Sequence, residues 1–405
     1  MAASAAGQLV SSLAVPAIRP PSILIGVTHP QTCLVLSSRI RALREAGFRV
    51  TVVSSPGELL DRTAAMEGVE SVAIPMRRAA APAADLVSLV RLWWLLGRCK
   101  PDIVEFSTPK AGLLGSLAAW VRGVPLRVYM LRGLKLETSS GIKRRILLAA
   151  ERLAAACAHV VLCNSPSLRA RALKLGVAPD AKLFLLGAGS SSGVDRSRFA
   201  PGPADVRERL GFSPQARVVG FVGRLTRDKG VPDLIEAFDA ILRAEPEACL
   251  LLVGWFDDGE DSLADEVRRR ILAHPYIRCT GFVSDTAPYY RAMDVMVLPT
   301  WREGFPNVVL EAAATAIPVV TTLCTGACDS VVPEVTGLLI PPGYPEAISE
   351  AVLALLGDSG RRRRMGEAAR AWVLEHYAEE RVLGLTSAFY SSGLMQVAEI
   401  SRVLS

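Results

Sequence analysis

Glu303-Gly-Phe-Pro-Asn-Val-Val-Leu-Glu311 carries the clearest structural signal in this chain. A strand-like apolar run, 294–299, precedes it, and the pattern predicts a helix over 305–316 with Pro306 in its first turn, where the missing N–H costs nothing. The first amides of such a helix attract anions. Glu303 in the loop and Glu311 inside the helix are poor phosphate ligands but good acceptors for sugar hydroxyls. A phosphate site between two contacts to sugar hydroxyls indicates that the ligand is a nucleotide sugar.

Size and composition narrow the class of protein. The 405 residues suffice for two or three domains, and half of them are apolar while 21% are charged. No uncharged apolar run reaches the roughly 18–20 residues that span a bilayer. Residues 1–20 lack an early positive region and a strong apolar core, so we expect a disordered leader rather than a signal peptide. The eight cysteines show no metal-ligand spacing, which predicts buried thiols in a reducing cytosol and no metal site.

The charge is unevenly distributed along the chain. Residues 1–190 contain 24 Lys and Arg against 11 Asp and Glu, and residues 191–405 contain the remaining 22 against 29. This asymmetry favours two domains with different partners. A basic surface attracts nucleic acid, anionic lipid headgroups or polyphosphate substrates.

Short, uniformly apolar runs alternate with helical segments throughout, which is typical of parallel sheets covered on both faces. The predicted strands are 22–28, 49–54, 102–106, 127–131, 160–164, 183–186, 218–222, 249–253, 277–280, 295–299, 319–322 and 337–340. We therefore predict an α/β fold with two doubly wound, Rossmann-like domains, 21–190 and 191–378, joined by a hinge at 187–193. A ligand is expected in the cleft between them, at the carboxyl ends of the strands.

A second motif lies at Val219-Gly-Phe-Val-Gly-Arg-Leu-Thr-Arg-Asp-Lys-Gly230. Gly223 ends a predicted strand and would let a ligand approach the backbone. Arg224 and Lys229 could neutralise a diphosphate leaving group, the first as a planar fork and the second as a point charge. A solvated basic loop is the alternative, but the second anion site in the same predicted domain favours the functional interpretation.

Gly-Arg-Leu-x-x-x-Lys-Gly followed by Glu-Gly-x-Pro-x-x-x-x-Glu resembles the retaining GT-B glycosyltransferases of family GT4, also called glycosyltransferase group 1. The resemblance covers the chain after residue 20. The stretches 107–115 and 132–138 resemble the branch that builds bacterial capsule, exopolysaccharide and lipid-linked oligosaccharides. The family pattern also implies that the segment 379–405 packs back on the first domain.

The resemblance implies a role for each motif residue. Arg224 and Lys229 would bind the donor diphosphate without a metal or another cofactor, Glu311 would contact the ribose, and Glu303 would contact the transferred sugar as the catalytic residue. The remaining donor-binding positions are Gly223, Val283 at the base, and the backbone of Gly304, Phe305, Pro306 and Asn307. The departing phosphate would act as the base for the acceptor.

Two departures from the family pattern affect the acceptor side. The loop 27–33, which includes Thr28, replaces the Gly-rich loop of many relatives. Arg132 stands where many relatives have a His, so Arg132 and Thr28 are the candidate acceptor contacts. For Arg132 the sequence leaves two roles open, a contact to an acceptor phosphate and a structural salt bridge.

The resemblance implies transfer of an N-acetylhexosamine or related sugar from a UDP-sugar to a polyprenyl-diphosphate-linked saccharide, with no nucleic acid partner. A GT-B nucleotide-sugar epimerase and a non-catalytic protein that binds sugar nucleotides or polyanions are the alternatives. The apolar segment 86–97, with Trp93 and Trp94, and the basic cluster 143–145 fit an anionic membrane surface, or else a core helix and a solvated patch. The expected location is cytoplasmic, or peripheral on the inner face of the cytoplasmic membrane.

Overall fold

The computed structural model describes residues 19–77, 79 and 81–404. The predicted leader, 1–20, lies outside the described residues apart from its last two positions. None of the helices in the described part of the chain has the length and apolarity needed to cross a membrane.

The first half of the chain forms a seven-stranded parallel sheet in the order β3-β2-β1-β4-β5-β6-β7. The strands are β1 Ser22–Gly26, β2 Arg49–Ser54, β3 Glu70–Ala73, β4 Ile103–Ser107, β5 Leu126–Leu131, β6 Val160–Cys163 and β7 Leu183–Leu185. Strand β3 is absent from the sequence prediction, because it is short and lies at the sheet edge without a buried residue.

The second half forms a six-stranded parallel sheet in the order β10-β9-β8-β11-β12-β13. The strands are β8 Arg217–Val222, β9 Ala248–Val253, β10 Ile277–Cys279, β11 Val295–Leu298, β12 Val319–Thr322 and β13 Gly337–Ile340. In both sheets the order reverses beside the first strand of the sheet, which opens a crevice at the carboxyl edge.

Helices cover the sheets. They are α1 Gln31–Glu45, α2 Glu58–Glu67, α3 Pro82–Cys99, α4 Pro109–Val121, α5 Gly141–Cys157, α6 Pro166–Lys174, α7 Val206–Arg209, α8 Val231–Ala244, α9 Asp265–Ala273, α10 Ala287–Arg291, α11 Asn307–Ala314, α12 Pro345–Gly357, α13 Ser359–Tyr377 and α14 Glu379–Leu404. Helix α3 packs against α4, and α4 packs against α5. The last helix, α14, contacts α1 and β5 of the first sheet.

Helix α11 is shorter than the predicted helix 305–316. Pro306 is extended (ψ 101°) and precedes the helix rather than lying in its first turn. The Phe305 ring packs against Tyr377, with the ring centroids 5.1 Å apart, and so holds the preceding loop in place. At the other end Ala316 adopts a left-handed conformation (φ 61°), which stops the helix.

The chain passes between the two sheets at two places, near residue 194 and at 377–379, and these segments lie side by side. The Val194 amide donates to the Tyr377 carbonyl (2.9 Å), and the Glu379 amide donates to the Val194 carbonyl (3.0 Å). A buried cluster then ties α14 to the first sheet, because Arg39 of α1 and Tyr390 of α14 both contact the Glu105 carboxylate of β4. All three side chains are at most 1% exposed.

The Glu151 carboxyl of α5 is buried beneath the first sheet and accepts a hydrogen bond from the Tyr129 hydroxyl (2.6 Å). Burial raises the pKa of Glu151 from 4.5 to about 7, although the hydrogen bond opposes the shift. The folded state therefore binds this proton more tightly than the unfolded state, and the free energy of unfolding should fall as the pH rises from about 4.5 to about 7.

We expect Glu151→Gln to remove that pH dependence, because glutamine stays neutral and can still accept from Tyr129. Relative to wild type, the variant should be more stable by up to about 3 kcal/mol above pH 7 and nearly equal near pH 4. Denaturant unfolding at several pH values measures this difference. A stability difference that is the same at every pH would contradict it.

Candidate active site

The loop that carries Glu303 is pressed between loops of the two domains. A Cβ on Gly304 would collide with the Arg132 carbonyl oxygen, and one on Gly326 would lie 2.5 Å from the Gly304 carbonyl oxygen. On the other side, the Gly133 Cα comes close to the Gly304 amide, since a Cβ there would be 3.2 Å from that nitrogen. Three glycines thus allow three backbones to touch at the carboxyl edge of both sheets.

Lys229 and Glu303 form an ion pair at this point. The first follows β8 and the second follows β11, so neighbouring strands of the second sheet bring together two residues 74 positions apart. Both side chains are mostly buried, at 19% and 12% exposure. Sequence reasoning predicts a diphosphate contact for Lys229 and a sugar contact for Glu303. The ion pair brings these two side chains together at one place in the cleft.

Arg224 is held by carboxylates. Its Nη1 lies 2.9 Å from Asp257 Oδ2, and its Nη2 lies 3.9 Å from Asp228 Oδ2. Arg302 shares Asp228 (2.7 Å) and also reaches Asp261 (3.2 Å). Burial alone would raise the pKa of Asp228, but these cations, with Lys229 and a hydrogen bond from a threonine, lower it. A diphosphate bound at Arg224 would therefore compete with Asp257.

Sequence reasoning missed Asp257, a partner of Arg224, and Arg302, which shares Asp228 with Arg224. Arg302 directly precedes Glu303, and Asp257 opens the acid-rich stretch Asp257-Asp-Gly-Glu-Asp261. Neither feature by itself says which oppositely charged group the residue meets. Only the parallel order of β8, β9 and β11 places them side by side.

Glu311 is partly buried on α11 and faces α10. Its Oε2 accepts a hydrogen bond from the Tyr290 hydroxyl at 2.8 Å and lies 3.5 Å from the Thr286 hydroxyl. Burial raises the pKa of Glu311, and these two hydroxyls together with Arg198 oppose that shift. A carboxylate held in this way by hydroxyl donors is suited to a sugar hydroxyl.

Gly223 and Val283 are further predicted donor positions. Gly223 has a φ of 146°, and its amide donates to the Val253 carbonyl (2.9 Å). Val283 packs against the hydrophobic core around the second sheet. Its neighbour Phe282 is 57% exposed, and the centroid of its ring lies 5.5 Å from that of Trp255. Sequence reasoning did not predict this aromatic pair.

The loop before α11 also faces the hinge. The Ser190 hydroxyl lies 3.3 Å from Asn307 Oδ1. Within the described residues, the amides of Gly304 and Phe305 donate to no other protein group. Both residues are buried, and a ligand contact at these amides stays a prediction.

Arg132, a predicted acceptor contact, is partly buried and has few hydrogen-bond partners. Its Nη1 donates to the Ser191 hydroxyl (2.9 Å), while its Nε and Nη2 are buried and make no hydrogen bond to any described residue. Burial lowers the pKa of Arg132 to about 10, so the group stays charged at neutral pH. Glu105 attracts it, but the structural salt bridge considered from the sequence does not form among the described residues.

Thr28 is occupied in the structure. Its hydroxyl lies 2.7 Å from the Thr108 hydroxyl and accepts from the Ala111 amide (3.0 Å), which holds the start of α4. Its side chain is 6% exposed. An acceptor contact at Thr28 stays a prediction, and Arg132 has the freer hydrogen-bonding groups.

Further polar contacts close the cleft. The Lys135 ammonium lies 2.6 Å from Glu260, and the Thr325 hydroxyl donates to Glu137 (2.9 Å). The Ser167 amide donates to Asp329 (2.9 Å). These three contacts join residues of the first half of the chain to residues of the second.

Both halves of the chain match families of known proteins. The description "Glycosyl transferase 4-like domain" matches residues 35–189, and "Glycosyl transferases group 1" matches residues 216–358. The chain is 33% identical over 371 residues to the capsular polysaccharide biosynthesis glycosyltransferase CapM of Staphylococcus aureus, which covers 91% of this chain and 97% of that protein. It is 28% identical over 282 residues to the Escherichia coli UDP-Gal:alpha-D-GlcNAc-diphosphoundecaprenol alpha-1,3-galactosyltransferase, with 68% and 71% covered.

Solved structures show the same architecture. Anabaena HepE in complex with UDP and glucose aligns with a TM-score of 0.75 at 19% identity, over 91% of this chain and 99% of that chain. Sucrose-phosphate synthase from Thermosynechococcus elongatus aligns with a TM-score of 0.76 at 22% identity, over 92% and 98%. At these identities the likeness concerns the fold, and the predicted two-domain GT-B fold is confirmed.

We expect Gly304→Ala to separate the two domains, because the added methyl group has no room beside the Arg132 carbonyl. The radius of gyration from small-angle scattering should increase, and the free energy of unfolding should fall by about 1–3 kcal/mol. Gly384→Ala is the matched control, since nothing lies within 4 Å of a Cβ in that helical position. The control should be neutral or stabilised by about 0.5–1 kcal/mol; equal scattering curves for both variants would contradict the tight contact.

Proposed function

The chain belongs to the glycosyltransferase group 1 family, and from this premise we propose that it is a retaining, metal-independent enzyme that transfers a sugar from a UDP-sugar to a lipid-linked saccharide. The Lys229–Glu303 pair is the observation that carries the proposal. It places a cation and a carboxylate together at the carboxyl edge of the second sheet, beside free backbone amides and opposite the first domain. That combination suits a departing diphosphate and a reacting sugar at adjacent positions.

The proposed reaction exchanges one bond at the anomeric carbon. The bond from that carbon to the donor phosphate oxygen breaks, and a bond to the acceptor hydroxyl oxygen forms on the same face of the sugar. The acceptor proton passes to the departing phosphate oxygen. Negative charge accumulates on the diphosphate, where Lys229 and Arg224 stabilise it, and positive charge accumulates on the sugar ring, where Glu303 stabilises it.

Binding of the donor would rearrange the ion pairs of the unliganded site. A diphosphate takes over Lys229 from Glu303 and Arg224 from Asp257. The Glu303 carboxylate is then free to turn towards the sugar. Glu303 and Asp257 each give up an ion pair in this exchange, and the charge-assisted contacts to the diphosphate replace the two that are lost.

The rest of the donor would lie along the carboxyl edge of the second sheet. Glu311 accepts hydrogen bonds from the ribose hydroxyls, with Tyr290 holding the carboxylate in place. The base lies near Val283. UDP is the proposed nucleotide because HepE, which shares the fold, was solved with UDP and glucose.

The acceptor is proposed to be a saccharide on a polyprenyl diphosphate, with an N-acetylhexosamine or related sugar as the transferred group. The name of the Escherichia coli relative specifies a diphosphoundecaprenol acceptor, and the Staphylococcus aureus relative is named for capsule synthesis. Arg132, with its buried and unpaired guanidinium nitrogens, supplies a counter-charge for the acceptor phosphate. With a lipid-linked acceptor, the proposed location is peripheral, at the inner face of the cytoplasmic membrane.

We expect Glu303→Gln to lower kcat by about 100-fold or more, since the amide cannot stabilise a positive sugar ring. The Kd for UDP should stay equal or become tighter, because the substitution releases Lys229 from its internal partner. Transfer from a panel of radiolabelled UDP-sugars to extracted lipid-linked saccharides measures the first quantity, and calorimetry measures the second.

Glu236→Gln serves as the control for that experiment, because Glu236 is exposed on α8 of the same domain. The control should match wild type in both measurements. Full activity of Glu303→Gln would remove Glu303 from the mechanism. Interconversion of a nucleotide sugar without any acceptor would instead identify an epimerase.

For Arg132→Gln we expect the KM for the lipid-linked acceptor to rise by about 10-fold or more while the Kd for UDP is unchanged, since a hydrogen bond to a charged group is worth about 1.5–3 kcal/mol. Arg132→Lys keeps the charge and should recover part of the loss. If both variants lose stability and keep the acceptor KM, Arg132 has a structural role only.

A further inference from the structure

We propose that Arg39 and Tyr390 are positioning residues for the acceptor: they hold the Glu105 carboxylate away from Arg132, so that the charge of Arg132 stays available to an anionic group of the acceptor. The inference rests on the proposed function in one respect, the assignment of Arg132 to the acceptor phosphate. The side chains of Arg39 and Tyr390 are at most 1% exposed. Neither can therefore touch a ligand from where it lies, and each acts through Glu105.

The first sheet brings Glu105 and Arg132 to the same side. Glu105 of β4 lies opposite Val128 in the register with β5, and Arg132 comes four residues after Val128. Side chains alternate between the faces of a sheet, so Arg132, directly after β5, is directed to the side of Glu105. Burial lowers the pKa of Arg132, and the attraction of Glu105 opposes that shift. The two charges thus act on each other, and Glu105 is a natural partner for Arg132.

The Glu105 carboxylate is nevertheless held by other groups. Its Oε2 accepts hydrogen bonds from the Arg39 guanidinium of α1 and from the Tyr390 hydroxyl of α14. These two donors also contact each other, because Arg39 Nη2 donates to the Tyr390 hydroxyl oxygen at 3.1 Å. The second oxygen of Glu105, Oε1, is buried and accepts no hydrogen bond from the described part of the chain.

The charges of this cluster do not balance. Two guanidinium groups, of Arg39 and Arg132, face one carboxylate, and the carboxylate pairs with Arg39. Arg132 Nε and Nη2 are buried and have no hydrogen-bond partner among the residues that the structure describes. A buried charge without a counter-charge is costly, and unsatisfied buried groups of this kind commonly meet a ligand or a water molecule. A ligand anion would supply the missing negative charge.

The hinge residue Ser191 links the two arginines. Its carbonyl oxygen accepts from Arg39 Nη1 at 3.4 Å, and its hydroxyl accepts from Arg132 Nη1 at 2.9 Å. Arg39 therefore contacts both the carboxylate that could neutralise Arg132 and the residue that orients Arg132. Hydrogen bonds connected in this way depend on one another, so a change at Tyr390 can reach Arg132 through the Glu105 carboxylate.

A specific consequence follows for the acceptor. If the hold on Glu105 is weakened, its unbonded Oε1 can turn to Arg132, and an internal ion pair then competes with the acceptor anion. Removal of the negative charge from residue 105 should undo this effect. A purely structural role of the cluster predicts the opposite, since a second substitution in a buried cluster would add to the damage.

The test begins with steady-state transfer by Tyr390→Phe, which keeps the ring and removes the hydroxyl. We expect the KM for the lipid-linked acceptor to rise by about 5- to 10-fold, because one of the two donors that hold Glu105 is lost. The kcat and the Kd for UDP should be unchanged. Arg39→Gln removes the other donor together with its charge, and should raise the same KM by at least about 10-fold.

Two double variants then distinguish positioning from a structural role. Tyr390→Phe with Glu105→Gln should return the acceptor KM to within about twofold of wild type, because the neutral amide no longer competes for Arg132. In the Arg132→Gln background, Tyr390→Phe should cause no further increase. A folded Tyr390→Phe, Glu105→Gln protein without recovery would overturn the proposal. Effects of Tyr390→Phe and Arg132→Gln that simply add would overturn it as well, and that comparison does not require a substitution at Glu105.

Tyr129→Phe is the matched control. Tyr129 is also a buried tyrosine of the first domain, and its hydroxyl donates to the buried carboxyl of Glu151 at 2.6 Å. It directly follows Val128 and therefore lies on the opposite face of the sheet from Glu105. We expect a loss of stability similar to that of Tyr390→Phe and an unchanged acceptor KM. An equal rise of the KM in both variants would contradict a specific role for Tyr390.

A binding measurement separates this proposal from the proposed function. Calorimetry with inorganic pyrophosphate, after UDP has saturated the donor site, requires no transfer. Wild type should bind pyrophosphate about fivefold or more tightly than Tyr390→Phe, and Arg132→Gln serves as the blank. If no sugar is transferred but this difference is found, the proposed function is wrong and the positioning of Arg132 stands. Equal pyrophosphate affinities of wild type and Tyr390→Phe would overturn the positioning role, whatever the transfer activity.

Discussion

Backbone contact between three loops is the constraint on which the cleft depends. Gly304 lies between the Arg132–Gly133 turn of the first domain and Gly326 of the second, with no space for a side chain. This contact sets how closely the two sheets approach, and therefore how far Glu303 is from anything held by the first domain. It also explains why the most conspicuous motif of the sequence has glycine directly after its first glutamate: a larger residue would keep the domains apart.

A second constraint acts from behind the cleft. Arg39, Glu105 and Tyr390 form a buried cluster that fastens the last helix to the first sheet, and Arg39 also reaches the Ser191 carbonyl of the hinge (3.4 Å). Removing one partner from such a cluster leaves a buried charge, which commonly costs about 3–5 kcal/mol. Arg132 hydrogen-bonds the hydroxyl of the same serine. The last helix is thus connected, through Ser191, to Arg132, the proposed acceptor contact.

Much of the fold was predictable because buried positions require apolar residues. Strands covered on both faces must be apolar, so the runs around Val52, Val128 and Val219 were recognised, whereas the half-exposed edge strand Glu70–Ala73 was not. The motif residues of the second domain were also recognised, because helix starts, glycines and paired cations have local signatures. The partners of those residues were not. Asp257, Tyr290 and Arg302 meet Arg224, Glu311 and Asp228 across neighbouring elements, and no local pattern encodes such a contact.

The sequence by itself determined the two-domain α/β architecture and the positions of Glu303, Glu311, Arg224 and Lys229 in it, since periodicity and backbone chemistry are local properties. The tertiary structure decided which groups are paired, buried or free. It joined Lys229 to Glu303 and left two guanidinium nitrogens of Arg132 buried without a hydrogen bond. The physical reason is that charge pairing and solvent exposure depend on the packing of segments far apart in the chain, which only the folded molecule brings together.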